Sequence, residues 1–205
     1  QISLYNNDQI NRNVEYLNIQ DEGGTKEIVN KVSIKIIDQL EKINKIKRTN
    51  IPVSELTLAL QCGGSDSYSG ITANPALGFA SDLLIDCGGS SILSETPEIY
   101  GAEHLLYERS TNKLNIEKIE KQIDWWKDHL RKSNSALDNN PSPGNKKGGL
   151  TTILEKSLGA VSKSGTKNMV DVLDYAERIK YKGFNFMNSP GYDPASVTGQ
   201  VASGA

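Results

Sequence analysis

The sequence predicts an α/β fold, with a mainly parallel sheet flanked by helices in a Rossmann-like, doubly wound arrangement. Apolar runs at Leu56–Leu60 and Ser90–Ser94 are typical of short buried strands, and the apolar helix pattern of Ala76–Ile85 lies between them. A strand, a helix and a strand joined by short links form the βαβ unit of a parallel sheet. Met169–Leu173 and Phe184–Met187 are further predicted strands.

Composition indicates a soluble globular protein. Hydrophobic residues make up 37% and charged residues 23% of the 205 residues, and the formal net charge is −2. This mixed charge argues against binding to nucleic acid or to an anionic membrane. No apolar run approaches the ~20 residues of a membrane span, and the polar segment 1–20 does not resemble a secretory signal. Two cysteines are too few for a disulfide framework, so we expect a reducing cytoplasm.

The amino-terminal part of the chain predicts one long helix. Apolar residues recur at intervals of three and four from Val29 to Ile43, which is the pattern of an amphipathic helix, and Thr25 is a suitable cap. Residues 1–20 have no firm period, although some of their apolar side chains are compatible with short strands, namely Ile2, Leu4, Val14, Leu17 and Ile19.

Helix signals surround the two central strands. Asn74–Pro75 supplies a cap and a first-turn proline for the helix Ala76–Ile85, and Gly88–Gly89 ends that helix. Thr96–Pro97 predicts the start of a further helix, which carries Ile99, Ala102, Leu105 and Leu106.

The downstream half continues with helices and one long irregular segment. Asn115–Leu130 is predicted as an amphipathic helix, and residues 133–149 form an irregular stretch that is a candidate sub-boundary. Thr152 and Glu155 have the spacing of a capping box for a helix that ends near Val161. Asp193–Pro194 starts a final helix.

The carboxyl ends of the two central strands predict a ligand-binding edge. Because consecutive parallel strands end at the same edge of a sheet, the segments Cys62–Asp66 and Glu95–Glu98 should both open there. The segment 141–149 is also rich in Gly, Pro and polar residues. We therefore expect the loops 62–69, 94–98 and 141–149 to converge on one concave surface.

Cysteine and carboxylate side chains at this edge are candidates for chemistry. Cys62 is either a small buried residue or a thiolate ligand or nucleophile, and the helix beyond it favours the thiolate, whereas Cys87 is expected to pack as a small hydrophobe. Asp66, Glu95 and Glu98 offer oxygen ligands that suit a divalent cation. Asp66 is equally explained by a turn, and Glu98 by a helix dipole.

Lysine and histidine give weaker signals. Lys147 lies in a loop whose glycines on both sides shape a particular backbone path, although a solvated charge explains it equally well. His104 and His129 lie on predicted helices and are expected to be structural.

Several longer strings resemble the altronate/galactarate dehydratase family, and they occur in the family's order and spacing. The similarity runs from roughly Leu56 to the end of the chain. The strings that carry it are Gln61–Asp66, Ser69–Pro75, Ser94–Glu103, Pro141–Leu150 and Glu155–Gly159.

This resemblance implies a hydro-lyase that acts on a small-molecule sugar acid. Such an enzyme removes the C2 proton and expels the C3 hydroxyl to give a 2-keto-3-deoxy acid, with the help of a divalent metal, Fe²⁺ in the first place and Mn²⁺ in the second. The stretch Glu95–Leu106 is closer to the altronate branch, and the galactarate and sulfolactate sulfo-lyase branches are the alternatives. Residues 1–205 would then be a fragment of the catalytic region, without the family's small N-terminal domain and C-terminal remainder, and homo-oligomers are compatible with it.

The resemblance also implies roles for individual residues. These are metal ligands at Cys62, Asp66 and Glu95, acid–base residues at Lys147 and Glu98, and substrate contacts at Ser65, Asn74 and Asn145. A non-catalytic module that binds sugar acids is the competing interpretation, since it would use the same loops without a metal or a base. A nucleotide-binding domain is disfavoured because no phosphate-loop or dinucleotide fingerprint is present.

Overall fold

The computed structural model describes residues 17–205, and the chain divides into two compact units, Gln1–Asn50 and Ile51–Ala205. In the first unit a turn leads into helix α1, Thr25–Asn44, which confirms the predicted amphipathic helix. The predicted cap is wrong, because Thr25 is already helical and Gly24 precedes it with a φ of 103°, a conformation that glycine adopts without strain.

The short strands considered for the first twenty residues gain no support. Leu17 has no regular structure and Ile19 lies in a turn. Ile2, Leu4 and Val14 lie outside the described residues.

The second unit is built on a parallel sheet, which confirms the predicted α/β fold. In the part of the chain that the structure describes, the sheet has four strands in the order β1-β2-β4-β3, and each neighbouring pair is parallel. Register pairs Thr57 with Ser90 and Leu60 with Leu93, so the two central predicted strands are adjacent, as expected. The strands are β1 (Thr57–Leu60), β2 (Ser90–Leu93), β3 (Met169–Leu173) and β4 (Gly183–Met187).

Helices fill the connections between the strands. The remaining α-helices are α2 (Ser67–Ile71), α3 (Ala73–Asp86), α4 (His104–Tyr107), α5 (Lys113–Lys132), α6 (Pro143–Lys147), α7 (Ile153–Ser162) and α8 (Asp193–Ser203). Short 3-10 turns occupy Val53–Glu55, Pro97–Ile99 and Leu137–Asn139.

Three of these helices depart from the sequence-based prediction. Helix α3 begins at Ala73, so Asn74 lies within its first turn and does not cap it. The single helix predicted after Thr96–Pro97 is interrupted at Gly101, whose φ of 88° ends helical geometry. The segment 133–149 contains α6, where Ser142 and Asn145 form a capping box, and it lies inside the second unit.

Close backbone contacts fix α7 against its neighbours. A Cβ atom at Gly78 of α3 would overlap the carbonyl of Ser162, and a Cβ atom at Gly159 would come within 3.3 Å of the Gly70 backbone. Glycine at these positions therefore lets α2 and α3 approach α7 closely. The sheet and helices enclose a buried core that includes Phe184 and Phe186, and α7 packs against the segments that form the site.

No helix within residues 17–205 combines the length and the apolar character that crossing a membrane requires.

Candidate functional site

The predicted convergence of three loops at the carboxyl edge of the sheet is confirmed. The N–H group of Ser67 donates to the Gly148 carbonyl at 3.0 Å, and the Asn145 side-chain amide donates to the Ser65 carbonyl at 2.9 Å. The loop after β2 joins them through Glu95, which pairs with a lysine that also contacts the end of β1. Segments far apart in sequence thus form one site.

A buried ion pair lies at the centre of this site. Lys163, directly after α7, places its Nζ 2.6 Å from Oε1 of Glu95, and the two side chains are only 6% and 1% exposed. The same Nζ donates to the Gln61 carbonyl at 3.3 Å. Among the described residues, Oε2 of Glu95 has no hydrogen-bond partner although it is buried. One oxygen of the carboxylate is therefore available for a further contact.

A second lysine, Lys156, projects from the same face of α7. It is buried, and its Nζ donates to the amide oxygens of Asn140 at 3.0 Å and Asn145 at 3.3 Å. Residues seven apart lie on one side of a helix, so Lys156 and Lys163 point toward the same region. Sequence reasoning missed both lysines. No local pattern singles them out, because their role depends on how α7 packs against the loops.

The two lysines and the neighbouring loops enclose a small cavity of about 10 Å³, which is the room that one water molecule needs. Its wall combines apolar and glycine residues with polar and charged side chains. The polar and charged residues that line it are Ser65, Asp66, Ser69, Asn74, Glu95, Glu155, Lys156 and Lys163.

The predicted substrate contacts Ser65, Asn74 and Asn145 also hold the loops in place. Asn74 donates to the Gly159 carbonyl at 2.9 Å, and the Ser65 hydroxyl lies 2.9 Å from Sγ of Cys62. Ser65 and Asn74 line the cavity, while Asn145 stands behind it and orients Lys156.

The Asp66 side chain forms a hydrogen bond with the backbone. Its Oδ1 accepts the N–H group of Ser69 at 2.7 Å, and the Ser69 hydroxyl bonds back to Asp66, which makes a capping box at the start of α2. This capping role is the structural interpretation of Asp66.

The two cysteines occupy different environments. Cys62 is buried, and its Sγ donates to the Gly63 carbonyl at 3.2 Å. Burial raises the pKa of Cys62, and the charge of Glu95 raises it further. The expectation that the following helix favours a thiolate is therefore wrong in direction. Cys87 is exposed at the end of α3, so the expectation that it packs as a buried hydrophobe is also wrong.

Glu98 is a buried acid one turn after Glu95. It is 4% exposed, and in the described part of the chain its Oε2 has no hydrogen-bond partner. Burial raises the pKa of Glu98 to about 7, with a further contribution from the charge of Glu95. Gly191 packs directly on the carboxylate, since a Cβ atom there would overlap it. Glu98 can therefore gain or lose a proton near neutral pH.

Lys147 and the predicted metal ligands are not brought together into one cluster. Lys147 is exposed at the end of α6 and does not line the cavity. Within residues 17–205, no group of three or more His, Cys, Asp and Glu side chains is arranged to hold a metal ion. Asp66 caps a helix and Glu95 is paired with Lys163. The described residues therefore do not make up a metal site by themselves.

Fold and site together define a parallel α/β domain with a lysine–carboxylate cavity at the carboxyl edge of its sheet. Residues 53–205 match the model of the family described as D-galactarate/altronate dehydratase, C-terminal. The chain belongs to this family.

Curated relatives agree with that assignment. The chain is 43% identical over 165 residues to galactarate dehydratase (L-threo-forming) of Escherichia coli K12, a match that covers 80% of this chain and 32% of the relative. It is 46% identical over 158 residues to altronate dehydratase of Bacillus subtilis 168, covering 77% of this chain and 32% of that protein. It is 36% identical over 194 residues to (2R)-sulfolactate sulfo-lyase subunit beta of Chromohalobacter salexigens, covering 93% and 50%. The chain spans about a third of the length of the two dehydratases.

Proposed function

We propose that this chain carries part of the active site of a cytoplasmic hydro-lyase, which dehydrates a sugar acid to a 2-keto-3-deoxy acid. The observation that carries the proposal is the pair of buried lysines beside a carboxylate, one oxygen of which has no hydrogen-bond partner within residues 17–205, at the edge where α/β folds bind ligands. The names of the curated relatives support altronate or galactarate as the substrate class.

Substrate binding would depend on the cations of α7. A sugar acid carries a carboxylate, which Lys156 and Lys163 attract, and the cavity has room for about one of its oxygen atoms. The hydroxyl groups of the substrate then extend toward Ser65 and Asn74, which line the same wall. Asn145 contributes by holding Lys156.

Proton transfer would depend on the carboxylates. Glu95 lines the cavity and takes the C2 proton through Oε2, which accepts no hydrogen bond from the residues that the structure describes. The electron pair moves toward the substrate carboxylate, and the C3–oxygen bond breaks. Glu98, whose pKa of about 7 suits proton exchange, supplies the proton with which the hydroxyl leaves as water. The resulting enol becomes the 2-keto acid. Lys147 stays a second candidate for the base.

A divalent metal stays a prediction, with Fe²⁺ favoured over Mn²⁺. Such an ion would stabilise the negative charge that develops on the substrate carboxylate. The described residues do not form a ligand set for this ion, so the proton transfers described above do not involve it. Cys62 and Glu95 remain the residues that we expect closest to it.

A substrate panel tests the proposed function. The complete gene product that contains this chain would be assayed on aldonates, aldarates and sulfolactate with Fe²⁺, Mn²⁺ and Mg²⁺, and the 2-keto product would be followed. We expect turnover on altronate or galactarate and a dependence on Fe²⁺ or Mn²⁺. Binding of these acids without any product would instead support a non-catalytic sugar-acid module, and product from sulfolactate alone would support the sulfo-lyase branch.

The two cysteines give a matched pair of variants. Cys62→Ser should retain the fold and lose most activity, because a hydroxyl replaces the soft sulfur next to Glu95 and Ser65. Cys87→Ala should leave turnover intact and change the free energy of unfolding by less than about 0.5 kcal/mol, since the side chain is exposed. Full activity in Cys62→Ser, measured with the same metal content, would remove Cys62 from the site.

A further inference from the structure

The loop that carries Glu95 and Glu98 is held by a polar contact from the other end of the chain. Thr96, which is fully buried, donates its hydroxyl to Oδ1 of Asn188 at 3.0 Å and accepts the N–H group of Ser189 at 3.0 Å. Both partners directly follow β4. The loops at the ends of β2 and β4 are thus joined through one threonine hydroxyl.

A tryptophan completes this contact. Nε1 of Trp126, on α5, donates to the same Oδ1 of Asn188 at 3.0 Å. An indole N–H can only donate, so the amide of Asn188 must turn its oxygen toward Trp126 and Thr96. Because Thr96 accepts from Ser189, its own proton must go to Asn188. The donor and the acceptor of each of these three hydrogen bonds are therefore assigned.

The backbone makes Asn188 a rigid support. Its N–H group donates to the Leu173 carbonyl at 2.9 Å, which ties it to the end of β3. Helix α5, which carries Trp126, also packs on β3. The acceptor that holds Thr96 is therefore fixed by the sheet and by a long helix, and the loop between Glu95 and Glu98 depends on it.

We infer that Asn188 is a positioning residue for the two carboxylates, and that Trp126 fixes the orientation of its amide. This inference rests on the proposed function, in which Glu95 and Glu98 move the protons. Asn188 does not line the cavity. It acts through Thr96, by setting where the loop from Glu95 to Glu98 lies.

Asn188→Leu tests the inference, because leucine is similar in size but offers no acceptor to Thr96 or Trp126. In the complete gene product kcat should fall about 100-fold, as expected when catalytic groups are misplaced by about 1 Å, while KM changes less than about twofold. In the chain itself, the backbone amide resonances of residues 95–98 should move, because the loop loses the acceptor that holds Thr96.

Further variants separate positioning from stability. Thr96→Val should lower kcat in the same way and also move the indole N–H resonance of Trp126, whereas Thr96→Ser should keep both at their wild-type values. Asn115→Leu removes another buried amide, one that donates to the Val170 carbonyl in β3; it should lower Tm and leave kcat and the amide resonances of residues 95–98 unchanged.

The inference is overturned if Asn188→Leu and Thr96→Val lower Tm while kcat and the amide resonances of residues 95–98 stay at their wild-type values. These resonances also distinguish this result from a failure of the proposed function. If the wild-type gene product dehydrates no sugar acid but Asn188→Leu still moves them, then the contact positions the loop of the two carboxylates and the assigned reaction is wrong.

Discussion

Replacement of Lys163 by methionine should lower the free energy of unfolding by about 3–5 kcal/mol at neutral pH, which is typical when one partner of a buried ion pair is removed. Lys163 and Glu95 are almost fully buried and only 2.6 Å apart. Methionine fills a similar volume, so the loss comes from leaving the Glu95 carboxylate without a counter-charge. Urea unfolding of the chain at pH 7 measures the effect. Turnover of the complete gene product should fall at least 100-fold, because the proposed base and substrate-binding cation are both disturbed.

The pH dependence of this loss provides an internal check. Burial raises the pKa of Glu95, while the nearby Lys163 ammonium opposes that rise. Removal of the Lys163 ammonium therefore raises the pKa of Glu95 further. A protonated carboxyl needs no counter-charge. The penalty of Lys163→Met should therefore be small near pH 4.5, the ordinary value of a glutamate, and should grow as the pH rises. Adding Glu95→Gln should recover much of the loss at pH 7.

Lys156→Met serves as the matched control on the same helix. Lys156 donates to two amide oxygens and has no carboxylate partner at hydrogen-bond distance, in the part of the chain that the structure describes. Its removal should cost about 1–3 kcal/mol, as for a buried acceptor that loses its donor. Because the Lys156 charge lowers the pKa of Glu95 and Glu98, this loss should also grow with pH, but less steeply than in Lys163→Met, which loses the direct ion pair. Equal and pH-independent losses in both variants would show that the Lys163–Glu95 pair is not the electrostatic centre of the site.

The sheet could be predicted from local sequence because its strands are short, apolar and bounded by turn residues. Ser90–Leu93 and Gly183–Met187 are buried along their whole length, and such runs stand out against polar surroundings. The position of β4 between β2 and β3 was not predictable, since strand order depends on long-range pairing. Helix α2 was also missed, because a helix of five residues has too short a pattern and depends on its cap at Asp66.

The site was predictable in its location and less so in its residues. The Gly-rich loop after β1 and Glu95 after β2 were correctly placed at one edge, because parallel strands end together. The sequence pattern named Lys147, which is flanked by glycines, and did not reveal Lys156 and Lys163. Those lysines acquire their role only when α7 packs against the loops, through Gly78 and Gly159, and no local pattern reveals that packing.

Glu98→Gln should have opposite effects on activity and on stability. Turnover of the complete gene product should fall by about 10²–10⁴-fold, the usual contribution of a general acid or base, because glutamine cannot exchange a proton. The variant should also be more stable than the wild type above neutral pH. Glutamine is uncharged at every pH, whereas Glu98 must ionise inside a buried pocket in which Oε2 has no partner among the described residues.

The direction of the stability change follows from the raised pKa. Burial raises the pKa of Glu98 from 4.5 to about 7, so the native state holds this proton more tightly than the unfolded state does. The stabilisation of the native state by this bound proton is complete below pH 4.5 and is lost as the pH rises through 7. The loss amounts to about 3 kcal/mol at pH 8. The difference between Glu98→Gln and the wild type should therefore increase between pH 5 and pH 8 by up to about that amount.

Urea unfolding across this pH range, together with turnover of the same variants, checks both effects at once. Glu120→Gln is the matched control, because Glu120 is exposed on α5, and it should change neither turnover nor the pH dependence of stability. A Glu98→Gln variant that gains stability at pH 8 but keeps full turnover would show that Glu98 is a buried acid without a catalytic role. The proton for the leaving hydroxyl would then have to come from another group, and Lys147 would be the next residue to test. Loss of turnover without any gain at pH 8 would mean that Glu98 is already ionised and partnered in the complete gene product.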